Sequence, residues 1–303
     1  MRGVIGHILT ESEGKNGMKE MQHYVPACYL ANFGIDGNKG RESHVYYFCV
    51  NDGTTCIKRV DDVAIENGFY NVEKLGNQSR IIEEFYANVL EPQLSQLLLK
   101  IVDMVEENPM DRKKNYLDLS GEERDAFSAQ MAFQYIRTKS FRDRYVYLYK
   151  HIKEGFPWVS FPNYSRKDFR RIHTMEILEF RSSNFFANLF SDRHWVVLIN
   201  HTKTPFVTSD APVIQIYHKT KRGETLSPVS PKVTMFFPLS PAIAIEIYEK
   251  NIVKEDMRYF DIYLQQTINW YNYKEMENCS RVVLSNVSFD VLKYREVRRK
   301  DGE

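Results

Sequence analysis

Trp195-Val196-Val197-Leu198-Ile199 is the stretch at which the chain changes character. Upstream of it the apolar residues recur at helical spacing. Here five apolar residues, three of them β-branched, follow without a helical gap, which reads as a buried strand. Four more short β-rich runs follow it, Pro205 to Thr208, Val213 to Tyr217, Val233 to Phe237 and Ile243 to Tyr248, each bounded by turn residues. A late helix is expected over about Glu255 to Cys279, and Arg281 to Ser285 reads as a closing strand.

Working back from Trp195, a helix is expected from about Ser165 to Phe190. A longer one, opened by the capping box Ser120/Glu123, runs to about Lys153 and is closed by Gly155-Phe156-Pro157. Residues 80 to 106 form a third helical pattern, broken by Pro92 and ended by Asn108-Pro109. His44 to Val50 and Thr54 to Val60 read as strands joined at Asp52-Gly53, a hairpin signal. The order predicts an α+β fold rather than alternating βαβ units. It has a small N-terminal β-hairpin, a helical middle over about 80–190, and a β-rich part over about 193–286. The latter forms an antiparallel or mixed sheet with one late helix. Residues 21–303 are expected to form a single domain and residues 1–20 an ill-ordered leader, with Met18 and Met21 as alternative starts; the polar Lys219 to Ser230 loop is expected to be mobile.

Within 303 residues, 41 Lys and Arg face 40 Asp and Glu, so any basic surface must be local rather than global. With 19 Tyr, 19 Phe and 3 Trp the chain is too apolar to be disordered. Cys28, Cys49, Cys56 and Cys279 lack zinc-ribbon or CxxC spacing. Cys49 and Cys56 could face each other across the hairpin, but two reduced core cysteines fit better. No apolar run approaches the roughly 18 residues needed to span a bilayer. A cytoplasmic chain with no membrane partner is therefore expected. P-loop, GxGxxG, HExxH and GxSxG signatures are absent.

Four features could carry chemistry. The first is His23-Tyr24-Val25-Pro26, in which the proline holds Val25 extended and gives His23 a defined direction at the mouth of a short amphipathic turn bearing Tyr29, Leu30 and Phe33. The second is the pair Glu84 and Glu91, which continue an apolar stripe through Ala87, Leu94, Leu98, Ile101 and Val105. A desolvated carboxylate needs a cation, a metal or a donor; an exposed helix start is the plainer alternative. Third, the stripe Phe127, Met131, Gln134, Thr138, Phe141, Tyr145, Leu148, Ile152 turns polar at Gln134 and Thr138. Arg137 beside that break suits either a buried ion pair or an anion site. Fourth, Thr208-Ser209-Asp210 ends a strand in three oxygen-bearing side chains, a place for a ligand or for plain turn chemistry. Arg144 and His151 match, in spacing alone, the arginine-six-histidine pattern of higher-eukaryote-and-prokaryote nucleotide-binding ribonucleases. Tyr145 stands where that family carries a polar residue, and a solvated helix face accounts for the pair.

Taken together the motifs resemble the domain-of-unknown-function 4238 family. The resemblance rests on His23-Tyr24-Val25-Pro26 with Tyr29-Leu30 and Phe33, Asp62-Val63-Ala64 leading to Phe69-Tyr70, and Ile82-Glu83-Glu84 with Glu91. Gln134 with Arg137-Thr138, Trp195, Phe206 to Pro212, Pro238-Leu239-Ser240-Pro241 and Asn269 complete it, over about residues 21–286. Ala27 and Ala211 depart from the pattern, the latter where asparagine is usual. The resemblance supplies no reaction; its members resemble cargo of mobile or defence-related loci, which implies a nucleic-acid- or nucleotide-directed effector or a partner protein from such a locus.

Two functional expectations follow. In one, His23, Glu84, Arg137 and Asp210 are catalytic, with Glu84, Glu91 and Asp210 holding Mg²⁺ or Mn²⁺ and Gln134, Thr208, Ser209 and Asn269 contacting substrate. This describes a metal-dependent hydrolase or nuclease acting on a phosphodiester or nucleotide. In the other, the same residues form a buried network in a non-catalytic binding or sensing module. The first is taken as the leading expectation.

Overall fold

The computed structural model describes residues 21–35, 37, 40–70, 78–106, 115–218, 226 and 228–289. The leader, Asn108-Pro109 and most of the Lys219 to Ser230 loop lie outside the described residues.

The N-terminal part comprises β1 (Met21–His23), α1 (Ala27–Leu30), β2 (His44–Cys49), β3 (Thr55–Arg59) and β4 (Ile65–Asn67). The helical middle comprises α2 (Gln78–Phe85), α3 (Glu91–Glu106), α4 (Gly121–Ile136), α5 (Lys139–Gly155), α6 (Arg166–Glu179) and α7 (Arg181–Asp192). Then come β5 (His194–Asn200), β6 (Thr208–Ser209), β7 (Ile214–Tyr217), β8 (Val233–Pro238), β9 (Ile243–Tyr248), β10 (Arg258–Ile262), α8 (Gln265–Asn278) and β11 (Val282–Ser285). The fold is α+β, as the sequence predicts.

Three sheets organise these strands. β10-β5-β9-β8-β7 form a mixed sheet in which only β10 and β5 run parallel. β3-β2-β11-β6 form an antiparallel sheet, so the predicted hairpin is not a separate unit; β11 returns from the C-terminal part to pair with β2 and β6. β1 pairs antiparallel with β4, which places His23 opposite Ile65. The hairpin register sets Cys56 against Tyr47 rather than Cys49, and all four cysteines are unbridged.

At the change of character, Trp195 is fully buried. Its ring meets Phe127 of α4 edge-on at 5.9 Å and its Nε1 donates to the Phe190 carbonyl of α7 at 2.8 Å. One side chain thus fastens the mixed sheet to two helices. The main cluster of buried apolar residues runs from Tyr24, Tyr29, Leu30 and Phe33 through α2–α4 to β5, β8 and β9. Tyr29, Leu30 and Phe33 are fully buried, each stabilising the opening turn by about 2 kcal/mol.

Four helix boundaries differ from the sequence reading. Pro92 does not break its helix. A π-helical stretch, Tyr86–Leu90, precedes α3 and absorbs the proline at that helix's second position. The Ser120/Glu123 capping box opens α4 as predicted, but the helix stops at Ile136. Thr138, extended at φ −89° and ψ 159°, starts α5 by accepting from Phe141 N. Similarly Phe180, left-handed at φ 56°, divides the predicted third helix into α6 and α7. The expected helix over 255–279 begins with strand β10, where buried Tyr259 stands between exposed Arg258 and Phe260, a period-two signal.

Candidate functional site

Successive side chains on extended chain point to opposite sides. At β1 this sends the His23 ring one way and the Tyr24 ring the other, while Arg137, at the C-terminal end of α4, fixes the main chain between them. Arg137 is 2% exposed. Its Nε donates to the Tyr24 carbonyl at 3.0 Å and its Nη2 to the His23 carbonyl at 3.3 Å. Gln134 Nε2 donates to the same Tyr24 carbonyl at 3.2 Å. The guanidinium also lies 3.5 Å from Glu91 Oε1 and 4.3 Å from the centre of the Tyr86 ring. The polar break in the helical stripe therefore meets an acid, as its composition requires, but most of its hydrogen bonding goes to backbone.

On the His23 side, Nε2 lies 3.1 Å from the Asp61 carbonyl. Burial pushes the imidazole below its usual range, opposed by the Asp61 hydrogen bond and by Glu91. Glu91 reaches Arg41 at 3.9 Å as well. The recess lined by Pro26, Glu91, Gln130, Gln134 and Arg137 has room for about one water molecule. Glu84 is half-buried on α2. The neighbouring Glu83 reaches β1, accepting from Gln22 Nε2 at 3.1 Å.

On the Tyr24 side the strand end Thr208-Ser209-Asp210 arrives from β6, fully buried. Thr208 Oγ1 and Tyr29 Oη are 2.7 Å apart, and Tyr29 donates to the Pro238 carbonyl. Ser209 donates to Glu275 Oε1 at 2.7 Å. Asp210 Oδ1 accepts from the backbone N–H groups of Ser280 and Arg281 at 2.8 and 3.2 Å. Its Oδ2 has no hydrogen-bond partner among the described residues. Burial holds the Asp210 carboxyl above the usual range against those backbone donors, and holds Glu275 well above it. Asn269 is exposed on α8; Asn272, one turn on, ties that helix to the strand through Val207 N and the Pro205 carbonyl.

Around Tyr24 gathers a set of charges that the sequence reading did not single out. Lys139 Nζ lies 5.2 Å from the Tyr24 ring centre and 2.5 Å from Glu66. Arg170 reaches Glu66 at 3.1 Å. Arg142 lies 4.9 Å from the centre of Phe69, whose ring stacks on Tyr24 at 5.0 Å. Arg281 donates to Tyr47 Oη at 3.3 Å. Burial raises the Tyr24 phenol, with Asp210 adding to it and Arg281 opposing. Burial works against ionised Glu66, yet Lys139, Arg142 and Arg170 hold it below the usual range. Arg142 Nη1 is buried without a hydrogen-bond partner among the described residues. A sequence signal for this cluster existed: Thr138 as a helix cap places Lys139 and Arg142 in one first turn, where cations oppose the helix dipole.

The ribonuclease-like pair does not form a site of its own. Arg144 donates to Tyr135 Oη and, at 2.9 Å, to Gln215 Oε1, whereas His151 is exposed against the Tyr147 carbonyl.

The donors expected to hold Mg²⁺ or Mn²⁺ are Glu84, Glu91 and Asp210. Among the described residues no three His, Cys, Asp or Glu side chains gather as ligands. Glu91 is engaged by Arg137 and Arg41, and Asp210 lies with Tyr24 on the other side of β1. No helix among the described residues is long and apolar enough to cross a membrane.

Neither a curated protein nor a solved structure matches the chain. A family model described as a protein of unknown function, DUF4238, matches residues 21–288, almost all of the described fold, and the chain belongs to that family.

Proposed function

We propose that the protein is a binding module for a phosphate-bearing anion, a nucleotide or a nucleic-acid end, seated beside Tyr24 where α5 begins. The carrying observation is Arg142 Nη1, a buried cationic donor with no hydrogen-bond partner among the described residues. Buried donors of this kind call for an explanation, and a ligand oxygen supplies one. The surroundings lean the same way: Lys139, Arg142, Arg170 and Arg281 gather there with three acids, Glu66, Asp143 and Asp210, of which only Glu66 is held below the usual carboxylate range. The first turn of α5 carries no acid, so its N–H groups add to the positive field.

A hydrolytic reading of the same place is favoured by Asp210, whose raised carboxyl with one unpaired oxygen suits a general acid. Thermal melts in EDTA test the binding reading: ATP should raise the melting temperature and adenosine should not. An equal effect of both, or of neither, would count against it. Turnover of ATP or RNA by the wild type, lost in Asp210→Asn with the melt unchanged, would favour hydrolysis.

A further inference from the structure

The apolar stripe of α5 begins in the core and ends in solvent. Phe141 is buried and Tyr145 half-buried, but the same line continues through Leu148 (56% exposed), Ile152 (38%) and Phe156 (49%). Beyond the helix, Trp158 is 76% exposed and Val159 is exposed beside it. This tip is built rather than frayed. Tyr149 packs on Tyr164 at 5.0 Å and Phe169 at 5.6 Å, its hydroxyl donates to the Pro162 carbonyl, and Lys153 donates to Asn163 Oδ1 at 3.0 Å. Those contacts hold the connection between α5 and α6 so that Phe156 and Trp158, 5.7 Å apart, face outward.

Charge identifies what covers it. Residues 144–171 contain seven Lys and Arg against two acids, Glu154 and Asp168, in a chain whose net charge is only +1; Arg144 is held by Tyr135 and Gln215 and Arg170 by Glu66, and the other five cations are exposed. Asp168 is spent in the capping box of α6. A second copy docking face to face would bring like charges together. Nucleobases could stack on Trp158, but the aliphatic stripe of Leu148, Ile152 and Val159 would gain nothing from a sugar-phosphate backbone. An anionic bilayer surface satisfies both halves: lipid tails take the stripe, the headgroup layer takes Trp158, and acidic headgroups take the cations.

We infer that the α5–α6 hairpin is a peripheral docking surface for anionic lipid membranes. Such contact lies in the plane of the interface, needs no spanning helix, and does not depend on the ligand site at Tyr24.

Co-sedimentation with phosphatidylcholine vesicles, with and without phosphatidylserine, tests it. The full chain should pellet with the phosphatidylserine vesicles only, with a blue shift of Trp emission that is absent in Trp158→Ser. Lys150→Gln with Arg166→Gln should bind roughly thirty-fold more weakly, at about five-fold per surface charge. All three side chains are exposed, so the melts of these variants should match wild type, confirming that a loss is not unfolding. Failure to bind, or binding unchanged in the variants, overturns the inference. So does protection of Trp158 by self-association, or binding of single-stranded RNA through the same residues in place of vesicles.

Discussion

Arg137 Nε donates to the main-chain carbonyl of Tyr24 at 3.0 Å, so the guanidinium grips the backbone of the opening motif rather than a substrate-facing side chain. With Nη2 on His23 and Glu91 alongside, Arg137→Ala takes one donor from each of two backbone carbonyls, which keep Tyr70 Oη and Gln134 Nε2, and leaves Glu91 with only the exposed Arg41. The expected cost is about 3–5 kcal/mol by denaturant unfolding. Arg137→Lys keeps the charge but loses the fork, and should fall between the two. A wild-type unfolding curve for Arg137→Ala would remove the structural role assigned here.

Asp210 is expected to separate stability from chemistry. Asparagine keeps the acceptor for the Ser280 and Arg281 N–H groups, so Asp210→Asn should unfold within about 1 kcal/mol of wild type. Asp210→Ala orphans both donors and should cost about 1–3 kcal/mol. If Asp210→Asn proves as damaging as alanine, its charge rather than its acceptor geometry holds the strand end.

His173 sets an acid limb in the stability curve. Its Nε2 faces the Ile136 carbonyl at 2.6 Å, Nδ1 has no partner among the described residues, and burial holds its pKa at about 4 against the usual 6.5. Between those values the unfolded chain takes up a proton that the folded one refuses. Stability is therefore complete above pH 6.5 and falls as the pH drops toward about 4, by up to about 3 kcal/mol. His23, also lowered by burial, acts in the same direction. Melting temperature against pH should fall more gently in His173→Phe than in wild type; parallel curves would contradict this.

Glu275 acts in the opposite sense. Its raised carboxyl means that the folded protein keeps a proton which the unfolded chain gives up above about 4.5, so this group weakens the fold as pH rises. Glu275→Gln retains an acceptor for Ser209 and should melt higher than wild type at about pH 8, with the difference shrinking toward pH 5. A pH-independent difference would rule out the titration as its cause.

The legible parts of the sequence were those with a local signal. The run Trp195 to Ile199, the Ser120/Glu123 box and Asp52-Gly53 each specify their element through their own chemistry, and each element is present. The breaks at Thr138 and Phe180 were not legible, because helical periodicity that carries on past a position outweighs one capping hydroxyl or one left-handed residue until tertiary packing is known. The candidate site was half legible. His23, Glu91, Gln134 and Arg137 do meet, and Asp210 lies next to Tyr24. Lys139 and Arg142 of α5, Glu66 of β4 and Arg281 before β11 come from three different segments, and the β1–β4 pairing and the return of β11 help bring them around one phenol.

The most direct test of the binding account is calorimetric titration of ATP, in EDTA, into wild type and Arg142→Gln, with melts to show that both are folded. The account predicts saturable binding by wild type and an affinity lower by roughly ten-fold or more in the variant, the loss of one charge-assisted hydrogen bond. Absence of binding to wild type, or equal affinity in the two, would contradict it.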